Sequence, residues 1–512
     1  MIIFADVESE RRLSLSGLRE QVLKMGGLLK QEYQWQAGDV LAVCANNDMD
    51  YAVSLLAAHT IGGVASAIDH HYSVYDMAAC LRIIKPKIIV ADEKTRNKAS
   101  QVACLLGITH GVVTFRELQI KLQNMTPAQP TRYTPEQLDT TPAYYYFTSG
   151  TSDVKKAVIM TQRNAVAALF GRATRSTSAI RILCHIEMHH VSQLFQACHF
   201  PIRQRSSVYF LSEFAAGQPL DRFWAAIEKY SITVISVYPW LAKQLVDDAK
   251  ATNYDLSSLQ IAPCIGAPID KSITQKLYKR MNLKCINIYG MTESGPVFQS
   301  SWEATLEGSP GTLARNVSAK LVDPDDQKEV GPGEVGELYI KSPQCTLGYL
   351  DNPSATKALF DADGYLRTGD IFRMSEDGRF YYVCRFKDRI RYDDMQMINP
   401  RNIEDIVKTH PLVDDCLVMG VHNNENGNEL ATAFVELSKE SINSSTLPSH
   451  QAIKDSIQMH VESQVSEMWH LCGGIYIVNA FPRTPLGKVR RMALYENYIR
   501  NQSVKLLQIG AA

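Results

Sequence analysis

The sequence lacks the features of secreted, membrane-spanning and nucleic-acid-binding proteins. Its first residues contain neither a basic segment nor a long apolar core, so no signal peptide is predicted. The longest apolar stretch, 52–67, includes a histidine, a threonine and two glycines, and is too short and too polar to span a bilayer. Because 53 basic residues nearly balance 54 acidic ones, no overall field attracts nucleic acid or a membrane surface. Any phosphate binding must therefore be local.

Paired cysteines are also lacking. The eleven cysteines are odd in number and form no C-x-x-C pair, which disfavours both a disulfide framework and a zinc site. Reduced thiols are typical of a cytosol-like compartment, and the C-terminus carries no Ser-Lys-Leu peroxisomal address. We therefore expect a cytoplasmic protein with no membrane span and no nucleic-acid partner.

A chain of 512 residues is too long for one core, so two or more domains are expected. Apolar runs bounded by turn residues alternate with helical periodicity, which indicates a parallel α/β sheet. The predicted strands include 39–44, 64–68, 87–91, 144–147, 207–211 and 232–237, and the predicted helices include 17–32 (with Ser16 as N-cap), 51–59, 75–84, 219–230 and 241–250. From about residue 308, short β segments between Gly and Pro turns indicate a small β-rich subdomain. Beyond residue 387 the pattern is that of a compact α+β domain.

These patterns predict an α/β protein with a large N-terminal domain, residues 1–386, and a small α+β C-terminal domain, residues 387–512. The large domain should consist of parallel α/β subdomains plus the small β-rich subdomain. Residues 124–142 are rich in proline and threonine and are interpreted as a connector to the stretch that begins at Tyr146.

The stretch Tyr146-Phe-Thr-Ser-Gly-Thr-Ser-Asp-Val-Lys-Lys-Ala-Val158 follows a predicted strand. It supplies four hydroxyls, a glycine that allows backbone N–H groups to face an anion, and two lysines. This combination suits a polyphosphate, although a Ser/Thr-rich surface turn is an equally good interpretation of the stretch alone.

Two later segments carry carboxylates in polar turns. In Asn287-Ile-Tyr-Gly-Met-Thr-Glu-Ser294, an aromatic ring could stack on a base, and Glu293 is a hard oxygen ligand suited to Mg²⁺ between phosphates. In Tyr365-Leu-Arg-Thr-Gly-Asp370, the carboxylate of Asp370 could accept hydrogen bonds from both hydroxyls of a ribose. Each segment taken alone is equally compatible with an ordinary surface turn.

Two basic segments follow. Arg385-Phe-Lys-Asp-Arg-Ile-Arg391 stands where the pattern changes, and Phe481-Pro-Arg-Thr-Pro-Leu-Gly-Lys-Val-Arg-Arg491 presents a lysine after a glycine in a loop. Taken alone, they could be a solvated linker and an exposed loop.

The ordered set of five segments resembles the adenylate-forming superfamily of acyl- and aryl-CoA synthetases, luciferases and peptide-synthetase adenylation domains. The segment from Tyr289 to Val297 looks especially like that of 4-coumarate–CoA ligases. The resemblance implies ATP-dependent formation of an acyl-adenylate from a small-molecule carboxylic acid, followed by thioester formation with CoA. It further implies Mg²⁺, a monomer or homodimer, and a C-terminal domain that is mobile between half-reactions.

The resemblance also implies site residues. It assigns catalysis to Lys488, Thr292 and Glu293, with Glu293 also holding the metal. It assigns ATP binding to Thr148, Ser149, Gly150, Thr151, Ser152, Lys156, Gly266, Ala267, Tyr289, Gly290, Asp370 and Arg385. Lys387 matches the hinge, and the acyl pocket would include His190, Gly266, Pro296 and Val297.

The segment His185-Ile-Glu-Met-His-His190 also permits a metal interpretation, which the absence of an H-E-x-x-H pattern disfavours. Asp153, Lys155 and Ala157 depart from the superfamily's phosphate loop, and Lys155 is expected to offset the acidic charge of Asp153. Asp394 stands where the superfamily has a glycine beside the CoA tunnel. Two alternatives therefore stay open: transfer of the acyl group to a carrier protein, amine or oxygen, and a non-catalytic binding protein.

Overall fold

The computed structural model describes residues 2–148, 155–171, 179–214, 217–391, 397–422, 429–438, 448–483 and 489–500. Its contacts divide the chain into two compact units. The first comprises Met1–Ala319 and Tyr339–Arg367, and the second comprises Lys320–Leu338 and Thr368–Ala512. The predicted architecture, a large N-terminal α/β part with parallel sheets and a smaller C-terminal part, is confirmed. The predicted domain boundary at residue 387 stays a prediction.

The first unit contains two large sheets. The seven-stranded sheet is parallel except for its last pair, and its strands in spatial order are Lys284–Asn287, Ile261–Cys264, Val234–Ile235, Arg181–Cys184, Ser207–Phe210, Ile2–Asp6 and Arg12–Ser14. The six-stranded sheet is likewise parallel except for its last pair, and its strands in spatial order are Val112–Thr114, Ile88–Ala91, Val40–Cys44, Val64–Ala67, Pro142–Phe147 and Ala157–Thr161.

Helices connect these strands and cover the sheets. The longer ones are Leu15–Glu32, Met49–Thr60, Val74–Ile84, Arg96–Leu106, Phe115–Leu122, Gln162–Gly171, Asp221–Tyr230, Pro239–Asp247 and Lys271–Met281. The shorter ones are Pro135–Thr140, Val191–Leu194, Phe200–Gln204, Trp302–Leu306 and Pro353–Leu359. Strands such as Val40–Cys44 are buried along their whole length, as expected for parallel strands packed on both faces. Short two-stranded ribbons pair Gly290–Met291 with Gly295–Pro296 and Phe298–Gln299 with Thr312–Leu313.

The second unit holds most of a five-stranded sheet and a separate three-stranded sheet. In spatial order, the first comprises Glu329–Val330, Ser318–Val322, Val335–Lys341, Leu366–Met374 and Phe380–Arg385, and the second comprises Val413–His422, Glu429–Leu437 and Ile475–Val478. The helices Pro400–Val407 and His450–Glu462 pack on the three-stranded sheet through buried aliphatic residues, and a shorter helix spans Arg491–Tyr495. A ribbon of Ile390–Arg391 with Met397–Ile398 completes the unit.

Three details differ from the sequence-based expectations. The first long helix begins at Leu15, and its N-cap is Ser14, whose hydroxyl accepts from Gly17 N at 3.0 Å, so the prediction of Ser16 as N-cap is wrong. The predicted polar turn ending at Asp370 is instead part of the strand Leu366–Met374, because Leu366, Thr368 and Ile371 are buried. The predicted connector at 124–142 includes the helix Pro135–Thr140. Among the described residues, no helix is long and apolar enough to cross a membrane.

Candidate active site

Candidate site residues in the first unit follow the carboxyl ends of parallel strands. Thr148 follows Pro142–Phe147, Gly266 follows Ile261–Cys264, and Tyr289 follows Lys284–Asn287. Open α/β sheets bind their ligands at this edge, outside the strand ends and near the point where strand order reverses. In the seven-stranded sheet the order reverses beside Arg181–Cys184, because the next two strands of the chain lie on opposite sides of it.

A small aromatic pocket opens at this reversal. It is lined by His185, Ile186, Glu187, Phe214, Tyr238, Trp240 and Leu241. The Tyr238 hydroxyl donates to Glu187 Oε2 at 3.1 Å, and the rings of Tyr238 and Trp240 stack with centroids 6.2 Å apart. Burial raises the pKa of the Glu187 carboxyl to about 7 and that of the Tyr238 hydroxyl well above its usual value. The pocket therefore offers aromatic walls and one buried polar pair.

Two of the predicted acyl-pocket residues lie against this pocket. The ring of His190 meets that of Tyr238 edge-on with centroids 6.4 Å apart, and its Nδ1 lies 2.7 Å from Ser192 Oγ. Gly266 has a left-handed φ of 86°, and a side chain there would meet the Tyr238 ring at 3.4 Å. Both residues flank one wall, Tyr238.

Pro296 and Val297 are not among the residues that line this pocket. Val297 is fully buried, and the Pro296 carbonyl accepts a hydrogen bond from the Gln344 side chain. Ala267 is exposed in the bend after Gly266. Their assignment to acyl or nucleotide contacts stays a prediction.

The predicted metal ligand Glu293 is buried beside a predicted phosphate-binding lysine. Its Oε1 accepts from the Tyr349 hydroxyl at 2.8 Å, and only 7% of the residue's surface is exposed. The Lys156 ammonium lies over the Tyr349 ring, 5.2 Å from the centroid. Glu293 therefore contacts the hydroxyl of Tyr349 and Lys156 contacts the face of its ring, although Glu293 and Lys156 are far apart in the sequence.

Glu293 belongs to a tight hairpin that also presents Tyr289, Gly290 and Thr292. A side chain at Gly290 would approach the Gly295 carbonyl oxygen to 2.5 Å, so the close pairing of the two short strands requires glycine. Tyr289 and Thr292 are half-buried, and the Tyr289 ring lies 5.5 Å from that of Phe298. The predicted turn is thus a hairpin turn in which Tyr289 and Thr292 are half-buried and Glu293 is buried.

The residues present fit a magnesium ion. Mg²⁺ is usually held by one or two protein carboxylates together with substrate phosphates. The Tyr349 hydrogen bond orients the Glu293 carboxylate through one of its two oxygens, and the Lys156 ammonium lies over the ring of the same tyrosine. When bound, the ion would neutralise phosphate charge at this carboxylate.

In the second unit, Asp370 and Arg385 occupy opposite positions on adjacent antiparallel strands. Arg385 Nε lies 3.0 Å from Asp370 Oδ1, and 5% of the Asp370 side chain is exposed against 42% of that of Arg385. Lys387 lies in a single 3₁₀ turn, Phe386–Asp388, directly after this strand. Asp370, the predicted ribose ligand, therefore forms an ion pair with Arg385, which was predicted only as a further ATP-binding residue.

Five predicted site residues lie outside the described residues: Ser149, Gly150, Thr151, Ser152 and Lys488. The same holds for Asp153 and Asp394. Lys155 is described, and its ammonium lies 4.2 Å from the centroid of the Tyr72 ring and 3.9 Å from Asp76 Oδ1.

Sequence reasoning missed Tyr238, Trp240 and the role of Tyr349. Tyr238 and Trp240 come directly after the predicted strand 232–237. That position, at the end of a strand where α/β sheets bind ligands, was the one sequence feature that could have indicated them. The contact of Tyr349 with Glu293 spans 56 positions of the chain. No local pattern indicates such a pair.

Comparisons with known proteins agree with this fold. A family model of AMP-binding enzymes matches residues 2–350, and one of the AMP-binding enzyme C-terminal domain matches residues 402–488. The chain is 28% identical to a luciferin 4-monooxygenase of Photuris pensylvanica, over 95% of this chain and 90% of that protein. It is 26% identical to 4-coumarate–CoA ligase 3 of Oryza sativa subsp. japonica, over 96% and 86% respectively.

Among solved structures, ATP-bound MatB from Rhodopseudomonas palustris superimposes with a TM-score of 0.85 at 22% identity, covering 97% of this chain and 95% of that one. Fold and sequence together define an adenylate-forming enzyme. The chain belongs to the AMP-binding enzyme family, and the predicted resemblance to 4-coumarate–CoA ligases and other AMP-forming acyl-CoA ligases is confirmed.

Proposed function

We propose that the protein activates a small carboxylic acid with ATP and Mg²⁺ and transfers the acyl group to CoA. A carboxylate oxygen of the acid attacks the α-phosphorus, the bond to the β-phosphate breaks, and pyrophosphate leaves. The CoA thiolate then attacks the acyl carbon, the mixed anhydride breaks, and AMP leaves while the thiol proton passes to solvent.

The observation that carries the proposal is the contact chain from Lys156 through Tyr349 to Glu293. It places a cation and a buried carboxylate around one tyrosine at the binding edge of an α/β sheet. A fixed positive charge and a metal-binding carboxylate are what phosphoryl-group transfer requires, since catalysis there is mainly positioning and charge stabilisation. Lys488, by resemblance, would stabilise charge on the α-phosphate.

The aromatic pocket suggests the class of acid. Phe214, Tyr238 and Trp240 line it, and aromatic walls favour flat apolar ligands. We therefore propose an aryl or medium-chain acid as substrate, bound with its ring or chain against Tyr238.

Pyrophosphate release across cinnamic, benzoic and fatty acids tests the first half-reaction. We expect release with at least one acid, and a decrease of roughly 100-fold or more in both Lys488→Ala and Glu293→Gln, because each removes a charge that acts on the phosphates. Lys276→Ala and Glu303→Gln are the matched controls, since both side chains are exposed away from these contacts, and they should retain the wild-type rate. Near-normal release by Lys488→Ala and Glu293→Gln would contradict the assignment.

Product mass with and without CoA tests the second half-reaction. An acyl-CoA formed only when CoA is present supports the proposal. Acyl-AMP that accumulates whether or not CoA is present identifies a different acceptor, and an absence of ATP binding by calorimetry identifies a binding protein.

A further inference from the structure

Five titratable side chains converge beside the aromatic pocket, outside the residues assigned to ATP. They form a histidine–carboxylate cluster of Asp69, His70, His71, His189 and Glu213. The first three follow the strand Val64–Ala67, and the other two follow the strands Arg181–Cys184 and Ser207–Phe210. The cluster is thus built from three strand ends of two different sheets, and Phe214, next to Glu213, lines the pocket.

The ligand atoms of this cluster are close enough to share an ion. One atom each from Asp69, His70 and His189 lies within 4.8 Å of the others, and the same holds for His70, His71 and Glu213. Ligands at about 2.0–2.1 Å from a tetrahedral zinc ion stand about 3.3 Å apart. His189 Nε2 and Asp69 Oδ2 stand 3.7 Å apart, close to that spacing.

His70 and Glu213 have polar atoms that the described residues leave without hydrogen bonds. The side chains of both are 9% exposed. His70 Nδ1 has no partner among the described residues, and neither Glu213 oxygen accepts a hydrogen bond of normal geometry from them despite the close approach of His70 Nε2. Unpartnered buried polar atoms cost free energy. A cation bound at His70 Nδ1 would satisfy that nitrogen and leave the proton on Nε2, which could then donate to Glu213.

The arrangement of His70 matches a common metal-binding pattern. A metal-ligating histidine usually turns its other ring nitrogen toward a carboxylate, which fixes the ring's orientation. Here Nε2 faces Glu213, which leaves Nδ1 for the ion. His189 and Asp69 are each 12% exposed, whereas His71 is 45% exposed. The buried residues therefore make the better ligand set.

We propose that Asp69, His70 and His189 bind one divalent transition-metal ion of the zinc type, with Glu213 orienting His70. Two histidines and a carboxylate are a donor set that Zn²⁺ accepts, with a fourth position left open. The ion would hold together the segments that follow the strands Val64–Ala67, Arg181–Cys184 and Ser207–Phe210, and the last two of these segments line the pocket. A buried ion pair of His70 with Glu213 is the rival explanation, and it requires no metal.

Calorimetric titration of the chelator-treated full-length protein with Zn²⁺ tests the proposal, and Co²⁺ absorption spectra report the ligand geometry. The Zn²⁺ and Co²⁺ titrations contain no ATP, no Mg²⁺ and no carboxylic acid substrate, so their outcomes are independent of the proposed acyl transfer. The protein carries Cys104→Ser and Cys472→Ser, because these exposed thiols would also bind zinc. We expect one site, and a rise in melting temperature on addition of Zn²⁺ because the ion binds the folded state.

Asp69→Asn, His70→Ala and His189→Ala should each weaken Zn²⁺ binding at least about tenfold. His71→Ala should change it less than about threefold, and His450→Ala, an exposed histidine elsewhere, should leave it unchanged. If a variant does not fold, the number of Zn²⁺ ions bound by the protein with the intact cluster, together with its Co²⁺ spectrum, still shows whether the site exists. The proposal would be overturned by the absence of a Zn²⁺ site, by an affinity in His70→Ala and His189→Ala equal to that of the protein with both histidines, or by a loss confined to His71→Ala.

Discussion

At the scale of single residues, Asp48 is a carboxylate held in an unfavourable environment. It caps the helix Met49–Thr60 by accepting from Asp50 N at 2.7 Å. Burial, reinforced by the charges of Asp50 and Asp6 and only partly offset by Arg11, raises its pKa to about 7. The folded state therefore holds this proton more tightly than the unfolded chain.

Asp48→Asn should stabilise the protein at pH 8 but have little effect at pH 4. The unfolded carboxyl has a pKa of about 3.9, so wild-type stability falls as pH rises from there to about 7, the pKa in the folded state. Asparagine keeps the cap and removes the titration. The expected gain at pH 8 is on the order of 4 kcal/mol, since the folded and unfolded pKa values differ by about three units and each unit corresponds to about 1.4 kcal/mol. Urea unfolding at both pH values measures it.

Asp92→Asn is the control, with the opposite sign. Burial raises the pKa of Asp92, but hydrogen bonds from Asn46 and Thr95 outweigh it and lower the pKa overall. This variant should lose stability at pH 7, and the loss should shrink as pH falls below about 3.9. Parallel pH profiles for the two variants would show that local environment does not set these pKa values.

The motifs of the candidate site could be found because each is local in the sequence, and the roles of their residues stay predictions. Glu293 lies in the predicted turn, whereas Asp370 lies in a strand where a turn was predicted. The partners that orient them could not be predicted, because Tyr349 reaches Glu293 across 56 positions. Contacts distant in the sequence also decide the surroundings of His189. The segment 185–190 alone permitted a metal site that included Glu187, whereas the structure groups His189 with Asp69 and His70.

At the scale of elements, the first long helix shows where a general rule fails. Replacing glycine by alanine in a helix interior usually gains about 1 kcal/mol. In the helix Leu15–Glu32, however, a side chain at Gly27 would stand 1.9 Å from the Thr126 carbonyl oxygen. The obstacle is backbone, which cannot turn aside as a side chain would.

Gly27→Ala should therefore destabilise the protein by about 1–3 kcal/mol, the usual cost of overpacking. The midpoint of urea unfolding measures the change. Gly17→Ala in the same helix is the matched control, because its nearest neighbours are the Ser14 hydroxyl at 3.3 Å and a Leu13 methyl at 3.7 Å. Its stability should stay unchanged or rise by up to about 1 kcal/mol, as the general rule predicts. A gain from Gly27→Ala would mean that the connector at Thr126 moves freely.

Strands and helices were predictable where burial alone determines the pattern of apolar residues. Parallel strands such as Ile88–Ala91 are apolar along their whole length because both faces are covered. The strand Ile2–Asp6 was missed, since its partner Ser207–Phe210 lies some two hundred positions away and supplies the hydrogen bonds that make it a strand. The helix Arg96–Leu106 was missed because only Ala99, Val102 and Ala103 are buried, which leaves a weak apolar stripe.

At the scale of the whole molecule, the cysteines provide a probe of each unit. All eleven are free thiols, and Cys104 in the first unit and Cys472 in the second are the two exposed ones. Burial raises the pKa of Cys44, Cys80 and Cys384 to about 12 and so suppresses their reactive thiolates. A maleimide reagent at neutral pH should therefore label Cys104 and Cys472 first.

A donor and an acceptor dye on Cys104 and Cys472 can test the predicted hinge at Lys387. We expect energy transfer to change when CoA is added to the protein loaded with ATP and a carboxylic acid, because the superfamily resemblance implies a rotation of the C-terminal domain between half-reactions. Lys387→Pro should reduce that change and slow thioester formation more than pyrophosphate release, since proline fixes φ at the hinge. Lys387→Ala, which keeps φ free, is the control. Unchanged energy transfer in the wild type would contradict a rotation of the C-terminal domain. Identical behaviour of Lys387→Pro and Lys387→Ala would mean that the hinge lies at another residue.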